Sequence, residues 1–237
     1  MAVKELEYNG KKFSIAYNLV GSGEKTILFL HGWGSNKEIM QGAFSKLKGF
    51  KQIYIDMPGF GKSPNEDTIL TTKNYSQIIK LFLEKLGVEP TAIAGHSFGG
   101  KVATLLNPNN LILLSSAGIL VPKPFKIRAK IAIFKALKPF GISALRKFFV
   151  ADDAKTMNHA MYETFKNVVD EDFEHNFSNY QGKALLFWGK EDSATPLWTG
   201  EKIALLIKNS KLYPLNGDHF FFVNNSAFIT KTIEDEI

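Results

Sequence analysis

Thr91-Ala92-Ile93-Ala94-Gly95-His96-Ser97-Phe98-Gly99-Gly100-Lys101-Val102-Ala103-Thr104-Leu105-Leu106 reads as a buried strand, a sharp turn carrying one serine, and the first turns of a helix. The serine has glycine at both n−2 and n+2. That spacing lets a strand and a helix meet at a strained residue without Cβ clashes. A Gly-x-Ser-x-Gly pattern alone occurs in many glycine-rich turns. Bracketed by an apolar run and a helix-forming segment, it points to nucleophilic catalysis by Ser97.

Outward from this turn, short apolar runs recur at Thr26–Leu30, Gln52–Asp56, Leu111–Ser115, Ala184–Trp188 and Lys211–Leu215. Several are nearly continuous in Ile, Leu, Phe and Ala, as strands covered on both faces are, which predicts a mostly parallel sheet. Helical patterns fall near 37–48, 73–86, 98–106, 197–208 and 220–235. Leu6–Tyr17 predicts a β-hairpin turning at Asn9-Gly10. Strand–helix alternation gives the α/β class with a doubly wound sheet. It breaks between about Gly118 and Gly182, where helix-like periodicity carries prolines at 122, 124 and 139 and no convincing strand. The expected organisation is a core of residues 1–117 and 183–237, with a helical cap insertion at 118–182 over the carboxyl ends of the strands.

Composition narrows the classes. The 237 residues are 45% hydrophobic and 13% aromatic, with 20 phenylalanines, enough to fill one large core. No apolar run reaches the ~18–20 residues that span a bilayer. The start lacks an apolar leader region, so no secretory signal is expected and the cytoplasm is the simplest location. With no cysteine, disulfides and thiolate metal ligands are excluded. The formal charge is +6, but the basic residues are mostly dispersed and no nucleic-acid motif appears. Ile119–Val150 is unusual in holding eight basic residues (Lys123, Lys126, Arg128, Lys130, Lys135, Lys138, Arg146 and Lys147) and no acidic one. It reads either as a solvated cap helix or as a docking surface for an anionic group, such as an acidic carrier protein or a substrate carboxylate.

A serine hydroxyl needs a base, an orienting acid and an oxyanion hole. Trp188-Gly189-Lys190-Glu191-Asp192 follows one predicted strand, Asn216-Gly217-Asp218-His219-Phe220 another, and His31-Gly32-Trp33-Gly34 a third. All lie on the same edge of the sheet as Ser97. His219 is the candidate base. Asp192, Glu191 and Asp218 compete as the acid.

With these motifs and Asp56-Met57-Pro58-Gly59-Phe60-Gly61-Lys62-Ser63, the chain resembles the α/β-hydrolase family over nearly its whole length. The order Ser97, Asp192, His219 is that family's nucleophile–acid–histidine order, and its Gly-x-x-Asp spacing favours Asp192 over Glu191. The resemblance implies an oxyanion hole made by the backbone N–H groups of Trp33 and Phe98. Among subfamilies, the motifs are similar to BioH-type pimeloyl-carrier-protein methyl ester esterases, small carboxylesterases and meta-cleavage-product hydrolases. The Pro-Glu that usually follows the triad histidine is missing, so the last helix is expected to be short or differently capped. Trp33, Met157, Met161, Phe165 and Phe220 are expected in the substrate pocket, the middle three from one helix face that also includes Tyr162. No metal or cofactor is expected. His31 reads as a structural loop residue; His96, His159 and His175 have no partner at any recognisable spacing.

Three functions compete. A serine esterase acting on a small or medium acyl substrate is the favoured reading. A carbon–carbon bond hydrolase would use the same triad, but that group usually places further glycine and proline after the first His-Gly, and often a tryptophan after the histidine. Here Trp33-Gly34-Ser35 and Phe220 stand instead. A non-catalytic ligand-binding member would not need all three triad residues.

Overall fold

The central apolar runs become strands because both of their faces find cover. In β3 (Lys25–Leu30), Ile27 and Phe29 enter one hydrophobic cluster, while Leu28 and Leu30 enter a second on the opposite face. A strand buried on both sides needs no polar alternation. The computed structural model describes residues 1–122 and 157–237. Its other strands are β1 (Ala2–Tyr8), β2 (Lys11–Val20), β4 (Phe50–Ile55), β5 (Ala92–His96), β6 (Asn110–Leu114), β7 (Lys183–Gly189) and β8 (Ser210–Leu215). They form one eight-stranded sheet in the order β1-β2-β4-β3-β5-β6-β7-β8. β1–β2 and β2–β4 pair antiparallel and every other neighbour is parallel. The β1–β2 hairpin turns at Asn9 and Gly10, both at positive φ (50° and 73°), as a type I′ turn requires.

Helices α1 (Lys37–Phe44) and α7 (Ser226–Glu236) cover one face through Met40, Phe44, Ile229 and Ile233. Helices α2 (Thr72–Leu86), α3 (Phe98–Leu106) and α6 (Leu197–Leu206) cover the other through Ile78, Phe82, Val102 and Ile203. Two helices are shorter than the periodicity predicts. α1 stops at Phe44 because the Leu47 N–H turns back to the Phe44 carbonyl (3.0 Å), bringing the chain round into β4. α7 begins at Ser226, not near 220. Residues 218–223 are taken up by three-residue turns, Phe221 N to Asp218 O and Val223 N to Phe220 O. The Asp218 carboxylate also accepts the Phe220 N–H (2.8 Å).

Of residues 118–182, 118–122 and 157–182 are described, and the second stretch holds α4 (His159–Val168) and α5 (Glu174–Asn179). Residues 123–156 lie outside the described residues, and with them the whole set of basic side chains between Lys123 and Lys147. The described remainder rests on the core: Phe173 N–H donates to Gly118 O (2.8 Å), Leu70 N–H to Thr164 Oγ1 (2.9 Å) and Asn158 Nδ2 to Asn65 O (3.0 Å). No helix among the described residues is long and apolar enough to cross a membrane.

β3 lies between β4 and β5, so the chain winds one way from it and then the other. Such a switch opens a crevice at the carboxyl ends of the strands, where open α/β sheets bind ligands. The turns bearing His31, Asp56, Ser97, Asp192 and His219 all leave the sheet at that edge.

Candidate active site

β5 is read out at its carboxyl end by a serine in a conformation that few residues tolerate. Ser97 has φ 51° and ψ −115°. It occupies the N-cap position of α3, yet its side chain makes no capping hydrogen bond, so capping does not explain it. The flanking glycines are required sterically. A Cβ on Gly95 would run into the Gly99–Gly100 backbone, and one on Gly99 would stand 2.5 Å from the Leu30 carbonyl oxygen. The β5–α3 junction is therefore pressed against the end of β3, which carries the His31–Gly34 turn.

In that turn Ser35 N–H donates to Gly32 O (3.2 Å). Phe98 is the first residue of α3, so its N–H lacks a helical partner. The Trp33 indole packs against the rings of Phe60 (4.8 Å), Phe98 (5.6 Å) and Phe165 (5.3 Å), and its Nε1 is buried without a hydrogen bond among the described residues. Met161 is buried under Gly59, with its sulfur 3.7 Å from Asn65 Nδ2. Met157 is half-buried. It precedes the helix and not on its face, because Asn158 is the N-cap of α4 and accepts from Met161 N–H (2.8 Å). Phe220 is 42% exposed, its ring beside those of His96 and His219.

Asp192 and His219 meet. His219 Nδ1 lies 2.7 Å from Asp192 Oδ2. The other oxygen, Oδ1, accepts from Ala194 N (2.8 Å) and Thr195 N (2.9 Å), and Thr195 Oγ1 donates to Oδ2 (2.8 Å). Burial raises the Asp192 pKa, but the bonds from His219 and Thr195 outweigh it and bring it down to about 2. An ionised Asp192 accepts the Nδ1 proton, leaving His219 Nε2 as the free acceptor. Glu191 faces away and accepts from Gly217 N–H in an exposed position. Asp218 caps Phe220. Of the three acids weighed from sequence, Asp192 is the one beside His219. The Ser97 hydroxyl makes no hydrogen bond to His219 among the described contacts; such bonds are often loose without substrate.

Three features escaped the sequence, and a fourth, His31 as a structural loop residue, was expected and gains its partners. His96, expected to lack a partner, has one: its Nε2 lies 2.9 Å from the His219 carbonyl oxygen. His31 is fixed as the Nδ1–H tautomer, donating to Gly32 O (2.7 Å) and accepting at Nε2 from Met57 N–H (3.0 Å). Lys37 and Asp56 form a fully buried ion pair. Lys37 Nζ lies 2.7 Å from Asp56 Oδ2, while Oδ1 accepts from Lys37 N (2.8 Å). With His31 it ties the 31–37 segment to the 56–63 loop. Thr195, unremarked in sequence, bonds the Asp192 carboxylate at both its N–H and its hydroxyl.

A groove of about 930 Å³ runs along α2 and the end of α3, lined by Gln77, Lys80, Leu83, Leu105 and Asn109 among others. None of Ser97, Asp192 and His219 lines it, and no sequence motif points there; the chemistry sits at the strand ends instead. Among the described residues, no group of three or more His, Asp or Glu side chains is assembled to hold a metal ion.

A family model described as the alpha/beta hydrolase fold matches residues 25–116, from β3 to just past β6. The chain is an enzyme of the α/β-hydrolase fold. The hydrolase is similar to a 2-hydroxy-6-oxononadienedioate/2-hydroxy-6-oxononatrienedioate hydrolase of Paraburkholderia phymatum, at 25% identity over 86% of this chain and 83% of that protein. Its fold matches the crystal structure of a hydrolase from Pseudomonas aeruginosa PA01 with a TM-score of 0.76, at 19% identity over 98% of this chain and 97% of that one. An esterase from Exiguobacterium antarcticum superposes with a TM-score of 0.74, at 23% identity over 94% and 95% of the two chains. None of these three is named for a carrier-linked substrate. The acidic-carrier reading rested on side chains outside the described residues.

Proposed function

We propose that the hydrolase cleaves carboxylic esters of small or medium acyl groups, with Ser97 as nucleophile, His219 as general base and Asp192 as the acid that orients it. His219 Nε2 takes the Ser97 proton as Oγ bonds to the acyl carbon. The carbonyl oxygen becomes an oxyanion, held by the N–H groups of Trp33 and Phe98, each worth about 3–4 kcal/mol in comparable sites. The intermediate collapses, the carbon–oxygen bond to the alcohol breaks, and His219 gives its proton to the departing alkoxide. A water deprotonated by His219 then attacks the acyl-enzyme, releasing the acid and returning the proton to Ser97.

The observation that carries this reading is the backbone of Ser97. A non-glycine residue at φ 51°, ψ −115° costs on the order of 1–3 kcal/mol, and a serine that neither caps nor turns for structural reasons has no other use for it. Trp33, Phe60, Met161 and Phe165 supply an aromatic and apolar surround, which suits the acyl chain of a neutral ester. A second reading, carbon–carbon bond hydrolysis by the same triad, is favoured by the name of the Paraburkholderia relative. That relative's named substrates are dicarboxylates, however, and the described rings packed on Trp33, those of Phe60, Phe98 and Phe165, are uncharged.

A hydrolysis panel separates the two. p-Nitrophenyl esters of rising chain length and a 2-hydroxy-6-oxo-dienoate are offered to the wild type and to Ser97→Ala. The ester reading expects turnover of the esters, loss of it in Ser97→Ala, and none on the dienoate. Dienoate cleavage exceeding that of every ester would replace it with the second reading.

A further inference from the structure

His96 ends β5, is 1% exposed, and is covalently joined to Ser97. Its two nitrogens meet different surroundings. The Nε2 faces the main-chain carbonyl of His219, which only accepts, so Nε2 must carry the proton. The Nδ1 is buried with no hydrogen-bond partner among the described residues, and Gly32 is pressed against it: a Cβ there would stand 2.8 Å from Nδ1 and 3.2 Å from Ser97 Cβ. A second proton would find no acceptor, and burial holds this imidazole neutral. The ring itself packs at 4.6 Å from the His219 ring and 4.9 Å from that of Phe222.

We propose that His96 is a positioning residue, one side chain that holds the His219 main chain with its Nε2–H and seats the Gly32–Trp33 turn against its opposite edge. This rests on the reading of Ser97 and His219 as nucleophile and base. The three segments it joins leave different strands and are separated by 64 and 123 residues; sheet pairing fixes Leu30 opposite Gly95, and beyond the strand ends the His96 ring ties the turns together. Catalysis needs that register closely, since a misplacement of about 1 Å costs about 100-fold in rate. The steric bar at Gly32 and the donor at Nε2 lie on one ring beside the nucleophile, which places base and oxyanion turn relative to Ser97 at once.

The test compares His96→Phe, which keeps a ring but has no donor, with His96→Gln, whose side-chain N–H reaches where Nε2 stood. His96→Met is a second donor-free variant that does not depend on the shape of the ring. kcat and KM are measured on p-nitrophenyl butyrate, with thermal unfolding alongside. In the folded donor-free variants kcat falls about 10- to 100-fold with KM within about threefold, and Gln recovers most of the loss. Wild-type kcat in a folded donor-free variant overturns the proposal, as does an equal loss in Gln and the donor-free variants, which is the signature of mere packing. A wild type that neither cleaves the ester nor takes up a serine-directed phosphonate overturns the triad reading itself, and this inference with it.

Discussion

Acid should destabilise this protein well before its carboxylates protonate, because two of its histidines are buried in neutral form. Burial lowers the pKa of His31 to about 4 and that of His96 to about 3. In the unfolded chain a histidine titrates near 6.5. Below that value the unfolded chain binds protons that the folded one refuses. Stability is therefore fully present above about pH 6.5 and is lost as pH falls toward 4 for His31 and 3 for His96. At about 1.4 kcal/mol per pH unit, lowering the pH from 7 to 5 removes about 2 kcal/mol for each histidine, about 4 kcal/mol for the pair. That is a large part of the ~5–15 kcal/mol typical of a folded domain. Asp192, with its pKa held near 2, contributes nothing in this window. Urea unfolding followed by circular dichroism at pH 7 and pH 5, at matched ionic strength, measures the difference. In His96→Phe the drop should shrink by about half. A wild type equally stable at both pH values, or a His96→Phe variant that keeps the whole drop, would refute the reasoning.

Three further outcomes are expected. Asp192→Asn should lower turnover by about 10⁴-fold, because the imidazole loses the carboxylate that fixes its tautomer, while Glu191→Gln leaves kcat within a few-fold; steady-state kinetics on a p-nitrophenyl ester gives the ranking. Asp56→Ala leaves the buried Lys37 ammonium with only the exposed Glu38 carboxylate (2.6 Å) and takes the acceptor from the Lys37 and Lys62 N–H groups, which should cost about 3–5 kcal/mol in denaturant unfolding, whereas the double variant Lys37→Met/Asp56→Leu recovers only the part due to the charge. Gly99→Ala should abolish activity and lower the melting temperature, since its methyl would meet the Leu30 and His31 carbonyls.

The sheet was legible because the central parallel strands are apolar on both faces, and their ends are marked by motif-bearing turns. The elbow at Ser97 could be read from its glycines and flanking segments, the preference for Asp192 over Glu191 came from the family resemblance, and the geometry brings Asp192 to His219. His96 could not be read that way, because its partner is a main-chain carbonyl 123 residues away, and a carbonyl leaves no trace in sequence. Lys37 carried a faint signal. A lysine in the first turn of a helix opposes the helix dipole, so its presence calls for a compensating charge, which Asp56 supplies. The start of α7 was missed because Phe220–Val223 looks helical in hydrophobicity, while turns anchored on Asp218 take up that length. The substrate end of the site was the least legible: Met157 falls off the helix face on which its spacing placed it, and residues 123–156 lie outside the described residues.

The proposed hydrolysis stands on Ser97 as the nucleophile. It is tested most directly by incubating the wild type and Ser97→Ala with a fluorophosphonate probe and locating the adduct by peptide mass spectrometry. A single adduct is expected on the Ser97 side chain in the wild type, and none in a Ser97→Ala protein whose circular dichroism and melting temperature match. Equal labelling of the two proteins, or an adduct at another serine, would contradict it.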